Sequence, residues 1–87
     1  MSKYVVAIET GFLPQYDALP KEIKKKFNKQ LSFLGDNPKH PSLQIHRIEG
    51  TDFWEFYVDK GYRCAFKIEG NIYKLYYVGT HKLIDRF

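Results

Sequence analysis

The chain has 87 residues, one cysteine and a formal net charge of +4, enough for one domain that removes only about 60–65% of its unfolded surface from water. A lone cysteine excludes an internal disulfide and a CxxC metal site, and the longest apolar run is far too short to span a bilayer. No charged-then-apolar leader opens the chain, so the expectation is a soluble, cytoplasmic protein with no membrane association.

Tyr4-Val5-Val6-Ala7-Ile8 is a short, nearly continuous apolar run rich in β-branched residues, which predicts a first strand buried on both faces or in mid-sheet. Phe12, Leu13, Tyr16 and Leu19 recur at helical spacing, with Pro14 tolerated in the first turn. Pro20 suits the start of a second helix, whose Ile23, Phe27, Leu31 and Leu34 make one apolar stripe and whose end is expected at Gly35. Two prolines in Asp36-Asn37-Pro38-Lys39-His40-Pro41 predict a loop. Strands follow at Leu43–Ile48, Phe53–Val58, Tyr62–Ile68 and Ile72–Val78, the last two pairs joined by turns at Lys60-Gly61 and Glu69-Gly70-Asn71.

The predicted architecture is therefore a single small α+β domain over residues 1–87, in β-α-α-β-β-β order, with Leu43–Ile48 leading into the strand meander as a further strand. Its antiparallel meander is covered on one face by the two N-terminal helices, because a helix stripe and a sheet each need a partner. The other face, or part of it, is expected to be open. The 15 aromatic residues (7 Tyr, 7 Phe, 1 Trp) suit a core that must be filled with few side chains. Cys64, between Arg63 and Ala65 in a strand, reads as a buried, inert thiol.

Charge is unevenly spread. Residues 20–47 carry seven basic side chains (Lys21, Lys24, Lys25, Lys26, Lys29, Lys39 and Arg47) against two acidic ones, whereas residues 48–87 carry six of each. That positive segment fits an RNA or acidic protein partner, and equally fits a solvated lysine face on an ordinary helix. The three histidines have no metal-ligand spacing, so no metal or cofactor is expected.

Strand parity places Arg63 on the open face, since Tyr62, Cys64, Phe66 and Ile68 form the apolar set of their strand. If Trp54, Phe56 and Val58 face the core, Glu55 and Tyr57 join Arg63 across the strands, and His46 and His81 are within reach of the same surface. A purely structural alternative pairs Arg63 with Glu55 or Glu69 and leaves His46 and His81 as solvated residues.

The pieces Leu19-Pro20-Lys21-Glu22-Ile23, Asn37-Pro38, His40-Pro41-Ser42-Leu43, Gly61-Tyr62-Arg63 and Val78-Gly79-Thr80-His81-Lys82 occur in this order on these elements. Together they resemble the RelE/ParE toxin superfamily of type II toxin–antitoxin systems over nearly the whole chain. The resemblance implies a toxin with a cognate antitoxin. Its RelE-like branch implies a metal-independent endoribonuclease that cuts mRNA on the ribosome, and its ParE-like branch implies an inhibitor of DNA gyrase. A third alternative is a degenerate member that only binds its antitoxin.

On the RelE-like reading, Arg63 falls on the arginine of the Gly-Tyr-Arg motif that contacts the scissile phosphate, and His81 on a second basic position that can act as general acid. The lysines that RelE carries in the preceding strand are replaced by Trp54 and Phe56, and Phe87 stands where RelE has a catalytic tyrosine. Glu55, Tyr57 or His46 would then supply the base. Lys21, Lys24, Lys25, Lys26, Lys29 and Arg47 would bind ribosomal RNA.

Overall fold

Apolar residues alternating along three successive runs give three strands that pair as sequence neighbours. A computed structural model describes residues 4–84, and side chains as far as residue 82. Its elements are β1 (Val5–Ile8), α1 (Phe12–Asp17), α2 (Lys21–Asp36), a 3₁₀ turn at Pro41–Leu43, β2 (His46–Arg47), β3 (Trp54–Asp59), β4 (Tyr62–Glu69), β5 (Ile72–Thr80) and α3 (His81–Ile84). Among the described residues the sheet has five strands in the order β1-β5-β4-β3-β2, with β2 to β5 as an antiparallel meander and β1 parallel to β5. This is the expected α+β class, with α1 and α2 on one face.

The stripe on α2 docks as its spacing requires. Ile23, Phe27 and Leu34 are buried and Leu31 is half-buried. The Phe27 ring lies 5.8 Å from Phe12, 5.4 Å from Tyr16 and 5.9 Å from Phe56, so it joins both helices to β3. Phe56, Val58, Cys64, Phe66, Leu75 and Val78 complete this core from the sheet.

Four boundaries differ from the sequence expectation. β1 is an edge strand rather than a central one, with Val5 54% and Ile8 45% exposed, because it pairs only with β5 among the described residues. Gly35 is buried inside α2, which runs to Asp36 and stops where Pro38 forces Asn37 into an extended conformation (φ −150°, ψ 89°).

Leu43 to Ile48 is not one strand. His40 Nδ1 accepts a hydrogen bond from Ser42 N, Pro41 starts a 3₁₀ turn, and Gln44 takes a left-handed φ of 47°. Leu43 thus reaches the core from a turn, and pairing is confined to His46–Arg47. Finally, β5 continues to Thr80 and passes directly into α3.

Candidate nucleic-acid interface

Register decides which side chains share the face away from the helices. Residues paired across antiparallel strands point to the same side, and Phe56, Cys64 and Val78 form one inward row. The neighbouring rows therefore point outward: His46, Glu55, Ala65 and Tyr77 in one, Tyr57, Arg63 and Gly79 in the next. The structure brings Arg63, Tyr57, Glu55 and His46 onto one face, and it brings His81 to the same end of the sheet. His81 follows Gly79 by two residues, and its backbone N–H donates to Gly61 O at 2.9 Å.

Arg63 does not pair with Glu55 or Glu69. Its Nη1 donates to Asp59 O at 2.7 Å and to Tyr62 O at 2.9 Å, and its guanidinium lies 4.8 Å from the Tyr57 ring centroid. No described residue accepts from Nε or Nη2, the edge of the fork that binds two phosphate oxygens side by side. Gly79, opposite Arg63, adds no side chain to that row.

The β3–β4 hairpin that holds Arg63 is tied to α2. Lys26 Nζ lies 2.8 Å from Asp59 Oδ2, and Asp59 Oδ1 also accepts from Lys60 N. The Lys26 hydrogen bond and the Lys60 N–H hold the Asp59 carboxyl below its ordinary value, and the same pairing raises Lys26.

Glu55 and His46 form a second unit. Glu55 is only 4% exposed although it points away from the helices. His46 Nε2 lies 2.7 Å from Glu55 Oε1, and His46 Nδ1 lies 3.0 Å from Gln44 O. Both ring nitrogens face acceptors, an arrangement that an imidazolium beside a carboxylate satisfies completely. His46 thus has both ring nitrogens against acceptors, and Glu55 Oε1 is engaged by it. Tyr57 does not share that constraint, as no described residue hydrogen-bonds its hydroxyl.

The helix lysines lie elsewhere. Lys21, Lys24, Lys25 and Lys29 project from α2, on the opposite side of the sheet from Arg63, with Lys24 Nζ 5.7 Å over the Tyr16 ring. Only Lys26 reaches the hairpin of Arg63. Arg47 is paired with Trp54, away from His46, and is held by its own turn: Nε donates to Thr51 O at 3.0 Å and Nη2 lies 3.6 Å from Asp52. Phe87 lies outside the described residues. Among the described residues no three His, Cys, Asp or Glu side chains are grouped to hold a metal.

No protein-family model and no curated protein sequence matches the chain. Solved structures do. The RelE of the RelE–RelB complex from Pyrococcus horikoshii is similar at a TM-score of 0.74 and 20% identity, over 92% of this chain and 96% of that one. A chain of the Escherichia coli DinJ–YafQ complex gives 0.77 at 14% identity, over 94% and 98%. One from the RelB–RelE antitoxin–toxin complex of Methanococcus jannaschii gives 0.71 at 18%, over 93% and 98%. The chain has the RelE-like toxin fold.

In this RelE-like fold the parity argument located Arg63, Glu55 and Tyr57 because β3 and β4 alternate regularly through Phe56 and Cys64. It missed Tyr76 and Tyr77, which both reach the outer face. The register shifts between Ala65 and Phe66, leaving Tyr76 as an extra residue on β5, so two consecutive side chains lie between the inward Leu75 and Val78. A bulge of this kind leaves no signature in apolar alternation alone.

Proposed function

We propose that the chain is the toxin of a type II toxin–antitoxin module, acting in the cytoplasm as a ribosome-dependent endoribonuclease on mRNA. The observation that carries this reading is the state of Arg63. Its Nη1 is fixed by two carbonyl oxygens, its Nε/Nη2 edge has no acceptor among the described residues, and His81 stands at the same end of the sheet.

In the reaction, the 2′-hydroxyl attacks the adjacent phosphorus, the O2′–P bond forms, and the P–O5′ bond breaks. Arg63 stabilises the charge growing on the non-bridging oxygens, and His81 gives a proton to the leaving 5′-oxygen. Of the three base candidates, Glu55 is buried and His46 has both nitrogens engaged, so Tyr57 takes the proton of the 2′-hydroxyl while its own hydroxyl proton passes to solvent water. His46 and Glu55, 2.7 Å apart, act as a hydrogen-bonded pair beside the substrate. No metal takes part in this scheme. Lys21, Lys24, Lys25, Lys29 and Arg47 contact ribosomal RNA from other parts of the surface, and a cognate antitoxin covers the toxin when it is inactive.

The test is the chemistry of the cut ends. Incubation with purified ribosomes and message should yield upstream fragments ending in a 2′,3′-cyclic phosphate and downstream fragments with a 5′-hydroxyl that polynucleotide kinase labels directly. Downstream fragments carrying a 5′-phosphate would contradict attack by the 2′-hydroxyl.

A further inference from the structure

The outward face continues beyond Arg63 into a cluster that the cleavage scheme does not use. Lys67 Nζ lies 4.9 Å from the Phe53 ring and 5.3 Å from the Tyr76 ring. Phe53 meets Tyr76 edge-on at 5.3 Å and Tyr77 at 6.1 Å. The bulge in β5 is what puts Tyr76 and Tyr77 side by side here, and Tyr77 keeps 36% of its surface exposed.

Lys74 also approaches Tyr76, at 5.6 Å, but its charge is matched by Glu9 at 3.2 Å. No described carboxylate lies within ion-pairing distance of Lys67. Its ammonium is therefore held against rings, with no carboxylate partner among the described residues. Rings with an exposed surface beside such a cation are what single-stranded nucleic acid uses, a ring for the base and an ammonium for the phosphate.

We propose that Tyr77, Tyr76, Phe53 and Lys67 form a stacking platform for single-stranded RNA beside the phosphate site. The proposal deepens the nuclease reading and rests on it. Lys67 is four residues from Arg63 along β4, about 13 Å at strand spacing, so one short strand reaches both. Glu55 between them is only 4% exposed, with Oε1 2.7 Å from His46 Nε2. RNA is favoured over an acidic peptide because the patch offers several rings but one cation without a described carboxylate partner.

The full-length chain, without ribosomes, is titrated into fluorescein-labelled decauridylate and followed by fluorescence anisotropy. Tyr77→Ala should weaken binding about tenfold while Tyr77→Phe stays within about twofold, since the ring and not the hydroxyl stacks. Lys67→Gln should weaken binding and flatten the slope of log affinity against log salt by about 0.7. Arg63→Ala should abolish cleavage on ribosomes yet keep the Tyr77-dependent affinity. Equal affinity in the native chain, Tyr77→Ala and Lys67→Gln, with thermal midpoints unchanged, would overturn the platform and leave the nuclease reading untouched. A hexaglutamate peptide that binds as tightly as the RNA and is lost in the same variants would also overturn it. Tyr77-dependent RNA binding by a protein that cuts no message would sink the nuclease reading and uphold the platform.

Discussion

Arg63 combines two requirements in one side chain. One nitrogen is anchored by the Asp59 and Tyr62 carbonyls, and the remaining edge faces outward. A lysine at this position could neither make both anchoring bonds and a bidentate phosphate contact nor stack its plane on Tyr57. Arg63→Lys should therefore lower the initial rate of message cleavage about 10²-fold or more, while thermal melting moves little. The Lys26–Asp59 pair gives a prediction with a definite sign. Asp59 is depressed from 3.8, so its contribution to stability is complete above that value and is lost as pH falls through its folded pKa. Lys26 is raised from 10.5, so its share is complete below that value and is lost only as pH rises through its folded pKa. The stability difference between the native chain and Lys26→Met, measured by urea titration, should be flat across neutral pH and should narrow only in acid below 3.8 or in strong alkali. Burial pushes the Cys64 thiol well above its ordinary range. It should react with a thiol reagent such as Ellman's only at the rate of unfolding.

Among the elements, α2 is the one whose packing follows most directly from sequence. Its stripe at spacings of four, four and three can face only one way, and Phe27 at the centre touches Phe12, Tyr16 and Phe56. Phe27→Ala should cost about 3–5 kcal/mol in chemical denaturation. The β4–β5 turn was equally legible, because Gly70 in Glu69-Gly70-Asn71 takes a φ of +62° that L-residues adopt at a cost of about 1–2 kcal/mol. β2 was not legible. The run from Leu43 to Ile48 has strand-like residues, but the His40–Ser42 hydrogen bond and the Gln30 contacts to Ser42 O and Tyr57 O divert it into a turn. β1 misled in a different way, since its apolar run is shared between the core and an exposed edge rather than between two buried faces.

At the scale of the molecule, the sheet separates two kinds of surface. Helices α1 and α2 and the lysines of α2 other than Lys26 lie on one side, and Arg63, Tyr57, His46 and the tyrosine–lysine cluster lie on the other. Sequence parity recovered which side chains of β3 and β4 share the outward face, because one-sided burial fixes alternation there. It could not recover the engagement of His46 by Glu55 and Gln44, which depends on the register of a two-residue strand, nor the doubled tyrosines at the bulge. The most direct measurement is the mapping of mRNA 5′ ends in a purified translation reaction, comparing the native chain with Arg63→Ala and His81→Ala. New ends inside ribosomal A-site codons that require ribosomes and disappear in both variants are the predicted result. Intact message at protein concentrations that still arrest growth would contradict it, and would turn attention to the supercoiling activity of DNA gyrase.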